Sequence, residues 1–180
     1  MTLKKNVLEL RRDTVESFHA KRKFPLTVVL DNVRSLNNIG SIFRTSDAFA
    51  VERILLCGIT ATPPSSEIHK TALGAEDSVN WAYFPTTLEA LDSLPPDTVL
   101  CAVEQAHGSI PLQDFPIDTA RSYAIVFGHE VHGVDQAVVD RCHHCIELPQ
   151  FGTKHSLNVA VTAGITIWQF TLPHFHFLTT

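Results

Sequence analysis

The stretch Pro25-Leu-Thr-Val-Val-Leu-Asp31 is short, apolar and rich in β-branched residues, and it ends in the polar segment 32–38. This pattern predicts a buried strand followed by a loop. Residues 39–50 then place apolar side chains at helical spacing, and Val51-Glu-Arg-Ile-Leu-Leu-Cys57 returns to a strand pattern. A strand, a helix and a second strand in this order predict two parallel strands joined by a helical crossover.

The same alternation continues on both sides of this unit. Upstream, we expect a helix within the segment 1–24. Downstream, the pattern predicts strands and helices in turn, with strands at 79–84, 98–103, 121–127 and 145–148, and helices at 65–73, 86–94, 135–142 and 157–170. Together these elements predict an α/β domain with a mostly parallel sheet covered by helices on both faces.

Size and composition fit one globular domain. The chain has 180 residues, 44% of them hydrophobic and 18% charged, and a domain of this length buries about 70% of the surface of its unfolded chain. We assign 1–24 to a basic helical extension, 25–172 to the domain and 173–180 to a C-terminal tail. No apolar stretch reaches the roughly 18 residues of a membrane span, and the cysteines show no secreted framework. We therefore expect a cytoplasmic protein without a membrane partner.

Charge is unevenly distributed along the chain. The net charge is −5, but the segment 1–24 holds seven Lys and Arg against three acidic residues, which leaves +4 there and −9 elsewhere. A basic arm on an acidic body can hold phosphates. A solvated helix face with ordinary charges is the alternative interpretation.

Three polar segments follow predicted strands, where open parallel sheets bind their ligands. They are Ser35-Leu-Asn-Asn-Ile-Gly-Ser-Ile-Phe-Arg-Thr45, Ala124-Ile-Val-Phe-Gly-His-Glu-Val-His-Gly133 and Ile146-Glu-Leu-Pro-Gln-Phe-Gly-Thr-Lys-His-Ser-Leu-Asn158. Glycines in the first two segments allow a close backbone approach. The third segment directly precedes the last helix, whose N-terminal amide groups can bind a carboxylate or the edge of an adenine.

Two residues in these segments also have purely structural interpretations. Arg44 is a cation on a helix that packs against the sheet, where it can face a ligand or form an ion pair with Asp47 or Asp31. Ser156 can contact a ligand or simply cap the last helix.

These segments resemble the three motifs of the SpoU/TrmH family of RNA ribose 2′-O-methyltransferases, in the family's order and over about residues 25–170. The resemblance implies a deep C-terminal trefoil knot, a topology nearly absent from other proteins. It also implies S-adenosylmethionine as cofactor, RNA as substrate and a homodimer as the working assembly. The sequence departs from the usual pattern at Gln150, where methionine is frequent, and at His129, where Asn, Pro or Gln is usual.

The resemblance assigns site residues position by position. The cofactor positions, which act mainly through backbone groups, are matched by Val103, Gly128, Leu148, Ser156 and Leu157. The polar active-site positions are matched by Asn38, Arg44, Glu130, Ser156 and Asn158. No metal is expected. Among substrates we favour tRNA over rRNA, because the basic segment 1–24 and the lack of an added RNA-binding domain resemble the small tRNA-modifying members.

The role of Arg44 has two interpretations. In relatives the matching arginine is proposed as the base that removes the hydroxyl proton, but a guanidinium has a pKa above about 12 and resists deprotonation. We favour Arg44 as a clamp on the RNA phosphate and a stabiliser of the developing alkoxide. Base action by Arg44, or a water at a site organised by Glu130, are the alternatives. Alignment supplies roughly 7–11 kcal/mol, so positioning contributes more than proton removal.

Other function classes match the sequence less well. The histidines of His129-Glu-Val-His132 are three positions apart, whereas a metalloprotease helix needs ligands at i and i+4. Cys142-His-His-Cys145 could offer zinc ligands but lacks a second pair. A hydrolase using Ser156 with His155 would lack the Gly-x-Ser-x-Gly elbow. A non-catalytic RNA-binding module on the same fold is the main alternative, and cofactor binding discriminates it from an enzyme.

Overall fold

The chain alternates between strands and helices in this computed structural model, which describes residues 2–6, 9 and 12–175. Within these residues the strands are β1 (Phe24–Asp31), β2 (Val51–Cys57), β3 (Asn80–Phe84), β4 (Val99–Val103), β5 (Ile110–Pro111), β6 (Tyr123–Phe127) and β7 (His144–Glu147). The helices are α1 (Val15–Ala20), α2 (Leu36–Ala48), α3 (Ser66–Ala72), α4 (Ala75–Ser78), α5 (Thr87–Asp92), α6 (Gln136–Arg141) and α7 (Val159–Thr171). Short 3₁₀ turns cover Leu112–Asp114 and Leu172–His174.

The described strands form a single seven-stranded sheet in the order β3-β2-β1-β6-β4-β7-β5. Every neighbouring pair is parallel. The predicted α/β architecture with a mostly parallel sheet is therefore confirmed. The order is not sequential, because β6 lies between β1 and β4, and β7 lies between β4 and β5.

Hydrophobic side chains fill both faces of the sheet. Along β1, Val28 and Leu30 belong to one buried cluster and Val29 to another, as the two-residue period of a strand requires. The first cluster includes buried side chains of α2, α3 and α7, and the second includes those of α5 and α6. Both faces are thus covered by helices, which is why the strands are continuous apolar runs.

The helix predicted within the segment 1–24 is much shorter than that segment. It is α1, which spans six residues, and Thr14 caps it by accepting a hydrogen bond from the Ser17 N–H. Only Phe18 of α1 is buried, so little apolar surface supports a longer helix. Residues 1, 7, 8, 10 and 11 of this extension and residues 176–180 of the tail lie outside the described residues.

A further difference concerns short elements. The sequence pattern did not predict α4 or β5, which have four and two residues. Elements of that length contain too few residues for a hydrophobic period to be recognised. None of the helices in the described ranges is long and apolar enough to cross a membrane.

Candidate active site

A cleft opens where β4, β6 and β7 end at one edge of the sheet. The loops that follow these strands enclose a cavity of about 560 Å³. Its walls come from residues within the segments 103–105, 127–133 and 147–162. Ligands of open parallel sheets bind outside the carboxyl ends of the strands, so this cleft is the candidate active site.

The five residues assigned to the cofactor by resemblance all line this cleft. Val103 ends β4, Gly128 follows β6, and Leu148, Ser156 and Leu157 lie between β7 and α7. Three separate segments of the chain thus meet around one cavity. Their apolar side chains, together with the backbone groups at the strand ends, give the cleft a mixed apolar and polar lining.

The turn 128–133 in this cleft is held by its own backbone. His129 and Gly133 exchange backbone hydrogen bonds of 2.9 and 2.8 Å, which closes the turn against Gly128. A Cβ atom at position 128 would overlap the backbone of Gly133 and Val134. The sequence suggested that Gly128 leaves room for a ligand, but the close backbone approach within the turn already requires glycine there.

We expect Gly128→Ala to lower the free energy of unfolding by roughly 1–3 kcal/mol, because the added methyl group must displace a backbone segment. Urea unfolding followed by circular dichroism measures the change. Gly152→Ala is the matched control, since a Cβ atom at position 152 meets nothing within 4 Å. Equal stability of the two variants would show that the turn relaxes without cost.

Glu130 connects the second motif to the first. Its Oε1 atom accepts hydrogen bonds from the Ser35 N–H at 2.9 Å and the Asn38 amide at 3.0 Å. Its Oε2 atom accepts from the Arg34 N–H at 3.0 Å. Burial acts to raise the pKa of the Glu130 carboxyl, but the backbone N–H groups and the Asn38 amide hold that pKa below its ordinary value. Glu130 is therefore an ionised group that organises the loop before α2.

Asn158 continues this network into the third motif. Its Nδ2 group donates to the Asn38 Oδ1 atom at 3.0 Å, while its Oδ1 atom accepts from the backbone of Ala160 at 2.9 Å and of Val161 at 3.3 Å. Asn158 is thus the N-cap of α7. The interpretation of Ser156 as that cap is wrong, because α7 begins two residues later than the predicted helix. Asn38, Glu130 and Asn158 form one hydrogen-bonded chain.

Arg44 lies apart from this chain of polar groups. It follows Asn38 by six residues on α2, which places the two side chains about 120° apart around the helix and about 9 Å apart along it. Asn38 is buried, whereas Arg44 is exposed and does not line the cleft. The structure therefore brings together all the predicted site residues except Arg44.

The structure also shows no ion pair for Arg44 with Asp31 or Asp47. Asp31 accepts a hydrogen bond from the Thr87 hydroxyl, and Asp47 accepts one from the Ser78 hydroxyl. Across residues 2–6, 9 and 12–175, the Arg44 guanidinium has no hydrogen-bond or ion-pair partner. Its charge is thus available to a ligand.

Sequence reasoning missed Glu104 and Gln105, which connect the walls of the cleft. Glu104 accepts from the Val134 N–H at 2.9 Å and from the Gln105 N–H at 2.8 Å. The Gln105 side chain donates to the backbone carbonyl of His155 at 2.9 Å. Their position directly after β4, at the carboxyl end of a predicted strand, was the signal that could have identified them.

The segment Cys142-His-His-Cys145 does not act as a unit. His143 accepts a hydrogen bond from the Leu100 N–H, and the Cys145 thiol donates to the backbone carbonyl of Glu104. Burial raises the pKa of the Cys145 thiol, which disfavours the thiolate that zinc binds. In the described part of the chain, no three His, Cys, Asp or Glu side chains are grouped so as to hold a metal ion.

Proteins of known sequence and proteins of known structure are similar to this chain. A protein of Staphylococcus epidermidis named "Putative TrmH family tRNA/rRNA methyltransferase" is 26% identical to this chain over 149 residues. The match covers 83% of this chain and 59% of that protein. The structure of a TrmH/SpoU tRNA modifying enzyme from A. aeolicus superposes with a TM-score of 0.78 at 23% identity, covering 95% of this chain and 86% of that one.

An AdoMet-bound rRNA methyltransferase from Sinorhizobium meliloti superposes with a TM-score of 0.78 at 25% identity, over 92% of this chain and 62% of that one. The chain thus spans about three fifths of the length of the curated relatives it matches. The sequence profile of the SpoU rRNA Methylase family matches residues 25–168. The chain therefore belongs to the SpoU rRNA methylase family.

Proposed function

We propose that this protein transfers a methyl group from S-adenosylmethionine to a ribose 2′-hydroxyl of structured RNA, with tRNA favoured over rRNA as the substrate class. The observation that carries the proposal is that the second and third motifs line one cleft, and that Asn38 of the first motif is hydrogen-bonded to both of them. The cofactor positions line its walls, and the chain Glu130, Asn38 and Asn158 crosses from the second motif to the third.

The cleft suits this cofactor in size and chemistry. Its volume of about 560 Å³ falls within the range of small-molecule sites, roughly 300–1,000 Å³. Val103, Leu148 and Leu157 offer apolar surface for an adenine ring, and the backbone groups at the strand ends can fix its edge. When bound, S-adenosylmethionine supplies a methyl group activated by the positive charge on sulfur.

We assign positioning roles to the polar residues of the network. Glu130 and Asn158 fix Asn38 from opposite sides, and all three are held by hydrogen bonds to backbone N–H groups or to each other. Such preorganisation keeps reacting groups aligned. Ser156 is exposed in the cleft and can contact the cofactor or the ribose. Arg44 lies outside the cleft, so we assign it to an RNA phosphate.

Cofactor binding tests this proposal most simply. Isothermal titration of the protein with S-adenosylmethionine should show one binding site per chain. RNA binding without any cofactor binding would instead indicate a non-catalytic RNA-binding module on the same fold. We place the reaction in the cytoplasm, consistent with the four free cysteines of the structure.

The preference for tRNA rests on the basic segment before β1. Arg12, Lys21 and Arg22 are exposed there, although Lys21 forms an ion pair with Asp13 at 3.1 Å. Lysine and arginine contacts to phosphates make RNA affinity fall as salt concentration rises. Replacing Arg12 and Arg22 should weaken tRNA binding and reduce that salt dependence.

We also infer the trefoil knot that the family resemblance implies. Two observations support the knot. In the sheet, β7 lies between β4 and β5, and residues of the segment 148–158 line the same cleft as residues of the turn 128–133. An electron-density map traced from β4 to the end of α7 tests this inference. If the inference is right, joining the two ends of the traced chain gives a trefoil knot. A trace that gives no knot would contradict the inference.

We further propose a homodimer through the outer face of α7. Val161, Ile165, Trp168 and Leu172 are 42–50% exposed and recur at spacings of four, three and four residues. This spacing places them on one face of the helix, where they form an apolar stripe. Exposed apolar stripes on helices mark association surfaces.

Ile165→Glu is expected to convert the dimer to a monomer at micromolar concentration, because the interface would have to bury an unpaired charge. Light scattering coupled to gel filtration measures the mass. Leu88→Glu on α5 is the matched control, since Leu88 is exposed to a similar degree, 38%, on another surface. A monomeric wild type, or an Ile165→Glu variant that stays dimeric, would overturn the proposed interface.

A further inference from the structure

Two neighbouring imidazoles form part of one wall of the cleft. The ring centroids of His129 and His132 lie 4.8 Å apart, and both residues line the cavity. They belong to the turn 128–133, whose backbone is closed by the paired hydrogen bonds between His129 and Gly133. The same turn carries Glu130, so the imidazole pair is fixed relative to the polar network.

The two rings differ in whether a nitrogen atom is free to accept a proton. The Nδ1 atom of His129 accepts hydrogen bonds from the backbone N–H groups of Val131 at 3.0 Å and His132 at 3.4 Å. The neutral His129 ring therefore carries its proton on Nε2 and can only donate from that atom. The exposed His132 ring has no hydrogen-bond partner among the residues that the structure describes, and it contacts the His129 ring at an interplanar angle of 31°.

The other ionisable groups of the cleft are poor proton acceptors. Both carboxylate oxygens of Glu130 and of Glu104 already accept hydrogen bonds from protein N–H groups. Glu147 also lines the cleft, but a carboxylate is a weaker base than an imidazole. His155 is the remaining candidate, but unlike the ring of His132, its ring contacts no other aromatic ring among the described residues. It also makes no hydrogen bond there.

We propose that His132 accepts the proton of the ribose 2′-hydroxyl during methyl transfer, an inference that rests on the proposed function. The hydroxyl O–H bond breaks and its proton passes to a free imidazole nitrogen of His132. The oxygen electron pair forms the new O–C bond, and the C–S bond of the methyl donor breaks with its electron pair remaining on sulfur. Arg44 is not needed as a base and keeps its charge for the RNA.

The test compares His132→Ala with the matched variant His155→Ala, which removes an imidazole from the same cleft. Single-turnover methyl transfer to total tRNA and to rRNA should fall roughly 10²–10⁴-fold in His132→Ala and far less in His155→Ala. Added imidazole should restore part of the His132→Ala rate, which a purely structural loss would not allow.

Binding measurements separate this inference from the proposed function. Calorimetry should show that His132→Ala still binds S-adenosylmethionine, so that its slow transfer reflects the chemical step and not loss of the cofactor. A His132→Ala variant that transfers methyl groups at the wild-type rate, or whose slow rate imidazole does not raise, would overturn His132 as the acceptor. Absence of transfer by the wild type to either RNA would overturn the proposed function and this inference with it.

Discussion

Arg44→Ala is expected to reduce methyl transfer to RNA roughly 10–10²-fold, the effect of losing one charge-assisted hydrogen bond to a phosphate, about 1.5–3 kcal/mol. Arg44 is exposed, has no partner in the described ranges and lies outside the cleft. Because it does not line the cavity, its loss should weaken RNA binding and transfer and leave cofactor affinity unchanged. Transfer of labelled methyl groups and calorimetry with S-adenosylmethionine measure the two effects separately.

Arg53→Ala provides the control for the loss of a surface arginine. Arg53 is also exposed, but it forms an ion pair with its neighbour Glu52 at 2.6 Å and lies on β2, outside the three motifs. Its replacement should leave transfer unchanged. If Arg44→Ala kept both RNA binding and methyl transfer, the assignment of Arg44 to the RNA would be wrong.

Glu130→Gln is expected to lower both stability and activity. One carboxylate oxygen of Glu130 accepts from Ser35 and Asn38, and the other accepts from Arg34. Whichever way a glutamine amide is turned, its NH₂ group faces an N–H donor. We expect the free energy of unfolding to fall by about 1.5–3 kcal/mol at neutral pH, the size of one charge-assisted hydrogen bond. The decrease is limited to this size because Glu130 is partly open to solvent. Urea unfolding measures it.

The stability lost in Glu130→Gln depends on pH. The folded-state pKa of Glu130 lies below its ordinary value of 4.5, so the carboxylate stabilises the fold fully above about pH 4.5. This contribution disappears as pH falls through the lowered folded-state pKa. The stability difference between wild type and Glu130→Gln should therefore shrink in acid. Glu67→Gln, which removes an exposed ion pair with Lys70, should change stability little at any pH.

The sheet was largely predictable because its strands are buried on both faces. The predicted strand 51–57 coincides with β2, and the strand predicted at 25–31 begins one residue late relative to β1. Such apolar runs are distinctive over five or more residues. β5 was missed because it comprises only Ile110 and Pro111, and proline occurs on edge strands or at strand ends. The order of the strands in the sheet depends on packing between distant parts of the chain, and hydrophobic periodicity reports only on local structure.

The site was predictable at the level of residues but not of contacts. Resemblance assigned Asn38, Glu130 and Asn158 to one site, and the structure joins them by hydrogen bonds across 92 and 120 positions of sequence. Local reasoning left Ser156 open as a ligand contact or as the cap of the last helix, because serine is a common N-cap and the helix was predicted to begin at residue 157. In the structure Asn158 is the cap, and it also donates a hydrogen bond to Asn38.

Transfer of labelled methyl groups from S-adenosylmethionine to total tRNA and, separately, to rRNA tests the central claim most directly, provided that the methylated nucleotide is then mapped. We predict label in tRNA on a ribose 2′-oxygen, with much less label from Arg44→Ala. Label confined to rRNA would contradict the preferred substrate and keep the reaction. Label on a base, or no label in either RNA from protein that binds the cofactor, would contradict ribose 2′-O-methylation by this chain.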